Sequence, residues 1–398
     1  MKTILILGGA KEQVIALKTA KDMGYRTVLC DRSKTNPGIE FADVFYLKSI
    51  TDKKGILEIA KRERIDGITS YLSEIALETI AYVAEELNLP TIPSKAIEVL
   101  NSKDNFRSFL KKNGFNTPFA KCYESIDLAL SEIDSFKFPV MVKPVDSAGS
   151  RGVSEVLDKK GIKEKIKNAF SFSKTGKIII EEYIKSIGNP IGGDAIAIDG
   201  KLKAFCLGRQ HFNLKGKNRF VPIATSFPYG FKEGIEEKIK GEIQRLIDLL
   251  KIKSSVFNLE IRVCENDEIY LMEVAPRNGG NYIPQIVKYA MDIPILEIAL
   301  KIAVGEKVFL NEKNSIKGYW SYLVLQSSKS GKLENIVINE KIKKKIVEEK
   351  MRVKKGEEVR EFLDAGAAVG VLIMKFESMK EMIEILKDSK KLVQVEVK

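Results

Sequence analysis

Short apolar runs alternate with polar, glycine-containing turns along most of the chain, and the clearest pattern begins at Phe257. Phe257, Leu259, Ile261 and Val263 alternate with Asn258, Glu260 and Arg262. A period of two predicts a strand with one buried and one polar face. Glu265, Asn266, Asp267 and Glu268 are turn chemistry. Residues 269–274 predict a second strand, so the stretch reads as a hairpin. With the turn centred between Asn266 and Asp267, Glu260 stands directly across from Glu273. Side chains opposed in this way lie about 5 Å apart at Cβ, where like charges repel. A cation between them would turn the repulsion into a site, and few hard oxygen ligands suit Mg²⁺. Read alone, the hairpin favours a solvated face whose carboxylates pair with Arg262 and nearby lysines. A slip of one residue would separate the two glutamates.

The first 93 residues follow a βαβ pattern. Residues 4–7 predict a buried strand, Gly8-Gly9 a tight turn, 12–23 a helix closed by Gly24, and 27–29 a second strand ending at Asp31. The dinucleotide fingerprint is incomplete, because Gln13 stands where a third glycine or alanine is needed. A third unit comprises a helix over 53–64, a strand over 67–70, then Ser73-Glu74. Ligands gather at the carboxyl ends of strands in open α/β sheets, so Glu74 is a candidate substrate contact. Capping the helix over 75–87 is its alternative job.

Two further stretches carry candidate phosphate chemistry. In 138–153, FPVMVKPVDSAGSRGV, Val140 and Val142 alternate with Met141 and Lys143, and Pro144 stops the strand. The small residues that follow let backbone N–H groups turn toward an anion, with Lys143 and Arg151 adding charge. No Walker A sequence occurs in the chain. In 177–184, KIIIEEYI, an apolar strand ends in Glu181, Glu182, Tyr183 and Ile184.

These stretches, in this order and spacing, resemble the ATP-grasp superfamily over roughly the first three quarters of the chain. The resemblance implies an α/β protein of three parts. They are a Rossmann-like pre-ATP-grasp domain over 1–93, a two-lobed ATP-grasp fold over 94–305 with a flap lobe near 136–185, and a small α+β closing domain over 306–398. It implies ATP and Mg²⁺ as cofactors, with Mn²⁺ as the alternative metal. Carried over residue by residue, Lys143 contacts the α- and β-phosphates, Lys103 matches the family's earlier nucleotide lysine, and Ser147, Gly149, Ser150, Arg151 and Gly152 belong to the flap. Glu181, Glu182, Tyr183 and Ile184 form the adenine hinge. Asp194 faces the ribose and His211 lies near the nucleotide. Glu260 and Glu273 hold the metal, and Arg277 stabilises the transferring phosphoryl group. Asn278, Gly279 and Asn281, with Glu74, approach the acceptor. Many members carry asparagine two residues after the second metal glutamate, whereas this chain has Ala275. The Glu-x-Ala-Pro-Arg form occurs in a branch that includes aminoimidazole ribonucleotide carboxylating enzymes. Asn278 or water would then complete the metal shell.

Composition changes this picture little. The 398 residues can bury a large core, and 44% apolar with 30% charged residues is ordinary globular usage. No apolar run is long enough for a membrane span. The N-terminus lacks a signal-peptide core, and four scattered cysteines suit a reducing cytoplasm. The net charge of +12 admits an anionic ligand or nucleic acid. Lysines and glutamates interleave, however, and no nucleic-acid-binding motif accompanies them. The implied activity is an ATP-dependent carboxylate–amine ligase acting through an acyl phosphate on small-molecule substrates, with a homodimer as one assembly. A bicarbonate-dependent carboxylase is the alternative within enzymes. Outside enzymes, the alternative is a non-catalytic nucleotide- or nucleic-acid-binding protein.

Overall fold

The structure is a computed structural model that describes residues 1–147, 149–214, 216–310 and 315–398. Ala148, within the expected flap, therefore lies outside the described residues.

Among the described residues the strands form three larger sheets and one small one. The N-terminal sheet is parallel, in the order β3-β2-β1-β4. Its strands are β1 Thr3–Leu7, β2 Arg26–Asp31, β3 Val44–Leu47 and β4 Gly67–Thr69. All five residues of β1 are buried, as the unbroken apolar run requires of a strand covered on both faces. Gln13 is buried and accepts from the Ala10 N–H at 3.0 Å, filling the place a third glycine would leave open. Asp31 spends one carboxylate oxygen on the Gly9 N–H at 2.7 Å and the other on the Ser33 N–H at 2.8 Å.

The flap sheet is antiparallel, in the order β5-β8-β6-β7. It comprises β5 Ala120–Tyr123, β6 Val140–Pro144, β7 Ser154–Val156 and β8 Ile178–Glu182. The helices Ile126–Ser131 and Ile162–Phe172 pack beside it around a core that includes Val140, Val142, Ile166, Ile178 and Ile180.

The central sheet has eight strands in the order β13-β12-β9-β10-β11-β14-β18-β16. They are β9 Ile191–Ile198, β10 Lys201–Phe212, β11 Pro222–Phe227, β12 Ser255–Val263, β13 Ile269–Ala275, β14 Tyr319–Leu325, β16 Ile346–Met351 and β18 Gly370–Phe376. The small sheet pairs β15 Gly331–Ile338 with β17 Glu358–Val359 and β19 Val393–Val397. Strands from the last ninety residues thus extend the sheet that carries β12 and β13. Helix Ile235–Leu249 covers one face of the central sheet, packing Ile239, Ile243 and Leu246 on Leu259 and Ile261. Helices Ile283–Met291 and Ile295–Ala303 pack on the other, against Ile196, Ile198 and Val256. Every residue of β9 is therefore buried.

The hairpin β12–β13 corrects one expectation and keeps its consequence. The turn is centred on Asn266, with the Cys264 N–H donating to the Glu268 carbonyl at 2.9 Å. The register runs Val263 with Ile269, Arg262 with Tyr270 and Ile261 with Leu271. A perfect ladder would next set Glu260 against Met272. A bulge intervenes, Met272 is passed over, and Glu260 pairs with Glu273. The displaced turn and the bulge each shift the register by one residue, and the two shifts cancel.

Candidate active site

Phe257, Leu259, Ile261 and Val263 are buried toward the helix, as their alternation requires. Asn258, Glu260 and Arg262 take the opposite face, where they line a cleft of about 480 Å³ between the central sheet and the flap lobe. That volume is within the usual range for small-molecule sites. Glu74, Lys103, Lys143, Ser147, Gly149, Ser150, Tyr183, Glu260, Glu273, Arg277 and Asn281 all reach this cleft. The topology has gathered candidates from five separated stretches.

At one end Lys143 on β6 donates to Glu181 on β8, and Arg107 Nε donates to the second oxygen of Glu181 at 3.0 Å. Glu181 is 1% exposed. Burial alone would raise its pKa, but Arg107 and Lys143 outweigh it and hold the carboxyl down at about 2. Lys103 begins the helix Lys103–Lys112, and its Nζ donates to the Ser147 carbonyl at 2.8 Å. The flap loop is held by polar contacts. Ser147 Oγ donates to the Arg151 carbonyl at 2.9 Å, and Ser150 Oγ to the Phe220 carbonyl at 2.9 Å. Gly152 has φ of +72°, and a Cβ there would fall 2.9 Å from both Phe172 and Pro144.

At the other end Glu260 and Glu273 face the cleft side by side. Burial, then the carboxylates of Glu74 and Glu260, push Glu273 up to about 7. Among the described residues no group of three or more His, Cys, Asp or Glu side chains could hold a metal unaided. The donor set here is two like-charged carboxylates with an incomplete shell. It fits Mg²⁺, which binds through one or two carboxylates and takes its other ligands from phosphates and water. Arg277 Nε donates to Glu74 Oε1 at 3.2 Å, Nη2 reaches the same oxygen, and Nη1 donates to the Asn278 carbonyl at 2.9 Å. Its acidic partner is thus Glu74 from the N-terminal unit, rather than Glu260 or Glu273.

Several expected contacts are placed elsewhere. His211 lies on the face of β10 opposite to Gln210 and Phe212, which line the cleft. Its Nε2 sits 2.9 Å from Ser226 Oγ, and burial pushes its pKa down to about 4. Period-two alternation takes it away from any nucleotide in the cleft. Asp194 is 1% exposed beneath the Gly279 loop, accepting from the Gly279 N–H and from Asn258 Nδ2, each at 2.9 Å. A Cβ on Gly279 would lie 2.3 Å from Asp194 Oδ1, so glycine is needed for this approach. Asp194 therefore anchors the loop after β13 instead of presenting oxygens to a ribose. Of the hinge residues, only Tyr183 reaches the cleft wall. Glu181 is committed to Lys143 and Arg107, Glu182 accepts from the Lys137 N–H at 2.9 Å, and the Ile184 carbonyl accepts from Arg262. Arg151, Gly152, Asn278 and Gly279 also lie outside the lining. Asn278 is 2% exposed, and its Nδ2 finds no hydrogen-bond partner among the described residues. Asn281 Oδ1 accepts from Arg352 Nη2 at 3.1 Å.

Arg107 and Gln210 also line the cleft, as do Asn258 and Arg262 from the polar face of β12. Arg107 follows Lys103 by one helical turn, and Asn258 precedes Glu260 by two strand residues, so both share a face with a recognised residue. That spacing was an available signal.

Among the described residues no helix is long and apolar enough to cross a membrane. Residues 115–290 match the family described as D-ala D-ala ligase C-terminus. The large chain of carbamoyl phosphate synthase from Clostridium botulinum (strain Langeland) is 26% identical over 299 residues, or 74% of this chain. The matched region spans 27% of that relative's length. The L-amino acid ligase of Bacillus licheniformis has the same fold over 100% of this chain and 99% of its own, with a TM-score of 0.85 at 20% identity. The biotin carboxylase domain of 2-oxoglutarate carboxylase from Hydrogenobacter thermophilus aligns over 99% of this chain and 90% of its own. Its TM-score is 0.74 at 16% identity, and it was solved as a dimer with MgADP, ADP and bicarbonate. The chain thus resembles this ligase family over 115–290 and shares the fold of ATP-grasp ligases along its whole length.

Proposed function

We propose that the protein is an ATP-dependent ligase that joins a carboxylic acid to an amine through an acyl phosphate. The observation that carries this reading is the meeting, in one cleft, of Lys103, Lys143 and Arg277 with the Glu260–Glu273 pair. A carboxylate oxygen attacks the γ-phosphorus of ATP, and ADP leaves. The amine nitrogen then attacks the acyl carbon, phosphate leaves, and the nitrogen gives up a proton. Such chemistry asks the protein mainly for positioning and charge neutralisation. Lys143 and Lys103 bind and orient phosphate oxygens at the flap. Glu260 and Glu273 would hold Mg²⁺, which when bound neutralises charge on the phosphates. Arg277, oriented by Glu74, offers its guanidinium where negative charge gathers on the transferring group. The MgADP bound to the biotin carboxylase domain supports ATP and Mg²⁺ as the cofactors here.

Bicarbonate is a second reading of the acid. Ala275 in the sequence Glu273-Val274-Ala275-Pro276-Arg277 favours it, as does the bicarbonate bound to the same biotin carboxylase domain. Phosphate and ADP release should be measured across a panel of acids and amines, with and without bicarbonate. Turnover that needs both an acid and an amine is expected. Turnover on bicarbonate without added acids selects the second reading. Nucleotide bound without Mg²⁺-dependent turnover on any pair would overturn both.

A further inference from the structure

Arg107 has no part in the chemistry above, yet it touches both ends of the cleft. It is 4% exposed. Its Nε donates to Glu181 Oε2 at 3.0 Å, and its Nη1 donates to the Met272 carbonyl at 2.9 Å. The other oxygen of Glu181 accepts from Lys143. Met272 is the residue passed over in the bulge that sets Glu273 across from Glu260. A bulge leaves its extra residue outside the regular ladder, and backbone polar groups there need partners from elsewhere. One planar guanidinium supplies that partner and reaches the flap lobe as well. A lysine presents a single ammonium on a flexible stem and cannot reproduce the fork.

We propose that Arg107 is a positioning residue that sets both halves of the cleft together. It fixes Lys143 through Glu181, and it fixes the Glu260–Glu273 opposition through the Met272 carbonyl. The functional consequence rests on the reading of the cleft as a Mg²⁺–nucleotide site. The structural link does not. An ion pair with Glu181 alone would steady only the flap sheet. The second contact spans 165 residues of sequence and ties that sheet to the metal hairpin.

The test compares wild type with Arg107→Met and Arg107→Lys by two measurements. The first is binding of the ATP analogue AMPPNP as a function of Mg²⁺ concentration. The second is backbone hydrogen exchange over 178–182 and 269–275. Arg107→Met is expected to raise the Mg²⁺ concentration for half-maximal analogue binding by about tenfold or more, as losing a partner of a metal ligand's support typically does. It should also speed exchange in both segments. Arg107→Lys should keep 178–182 protected, lose protection at 269–275, and need an intermediate Mg²⁺ concentration. An unchanged Mg²⁺ requirement in Arg107→Met, or faster exchange confined to 178–182, overturns the proposal. Should Arg107→Met fail to fold, Arg107→Lys decides by the same readouts. If wild type binds no analogue with Mg²⁺, the proposed function falls. Exchange at 269–275 then still judges the link, and unaltered rates in the variants refute it.

Discussion

Glu181 and Glu273 lie on strands bordering the same cleft, yet their surroundings are opposite. Glu181 is enclosed by the guanidinium of Arg107 and the ammonium of Lys143, and its carboxyl is held down at about 2. Glu273 is surrounded by burial and by the carboxylates of Glu74 and Glu260, and it is pushed up to about 7. Each environment disfavours a buried charge, but at Glu181 the chain's own cations outweigh burial, whereas at Glu273 Lys103 and Arg277 do not. The difference separates a glutamate neutralised within the chain from one that an added cation would stabilise. Both are glutamates near strand ends, so residue type alone does not distinguish them.

The comparison breaks most readily at these two positions. Glu181→Gln should leave two buried cations without their shared anion, and a loss of roughly 3–5 kcal/mol is expected for breaking such a cluster. Urea unfolding reads it directly, and a variant as stable as wild type would remove Glu181 from the architectural role. Glu273→Gln should do the reverse. Its stability should hold or rise as like-charge repulsion is relieved, while Mg²⁺-dependent turnover falls on the order of 1000-fold. Near-normal phosphate release at ordinary Mg²⁺ would refute the assignment.

Arg277 lies between these extremes, paired with Glu74 but turned into the cleft. Arg277→Lys is expected to lower the turnover number on the order of 100-fold while changing nucleotide affinity little, because the fork matters most as charge develops. A destabilised but fully active variant would make the Glu74 contact its whole purpose. The smallest effect concerns His211, a half-buried ionisable group on the face of β10 turned from the cleft. Its folded pKa of about 4 lies below the ordinary 6.5. As pH falls between these values the unfolded chain takes up a proton that the folded chain refuses, so stability drops. A loss on the order of 1 kcal/mol is expected once its partial exposure is allowed for. His211→Gln should flatten that part of the stability–pH curve. An unchanged slope would show that other groups cause it.

Much of the site was legible from local pattern. Period-two alternation is a property of neighbouring residues, so it identified the buried and polar faces of β12 before any contact was known. The small residues after Lys143 are equally local. The same alternation shows why His211 misleads. Its composition suggests chemistry, but adjacent residues Gln210 and Phe212 take the cleft face and leave it the other.

What the sequence by itself determined was therefore the faces of the strands, the chemistry available at each, and the order of the stretches that carry it. Tertiary structure alone decided which charges met. Glu74 and Arg277 are 203 residues apart, and Arg107 and Glu181 are 74 apart. No local period encodes partners at such distances, because pairing depends on how whole sheets pack. The Glu260–Glu273 opposition shows the limit most closely. The expected turn lay half a residue from the real one, and a parity argument then hinges on one extra residue. The bulge at Met272, with its carbonyl bound by a guanidinium from another element, restores a register that strand periodicity could not settle.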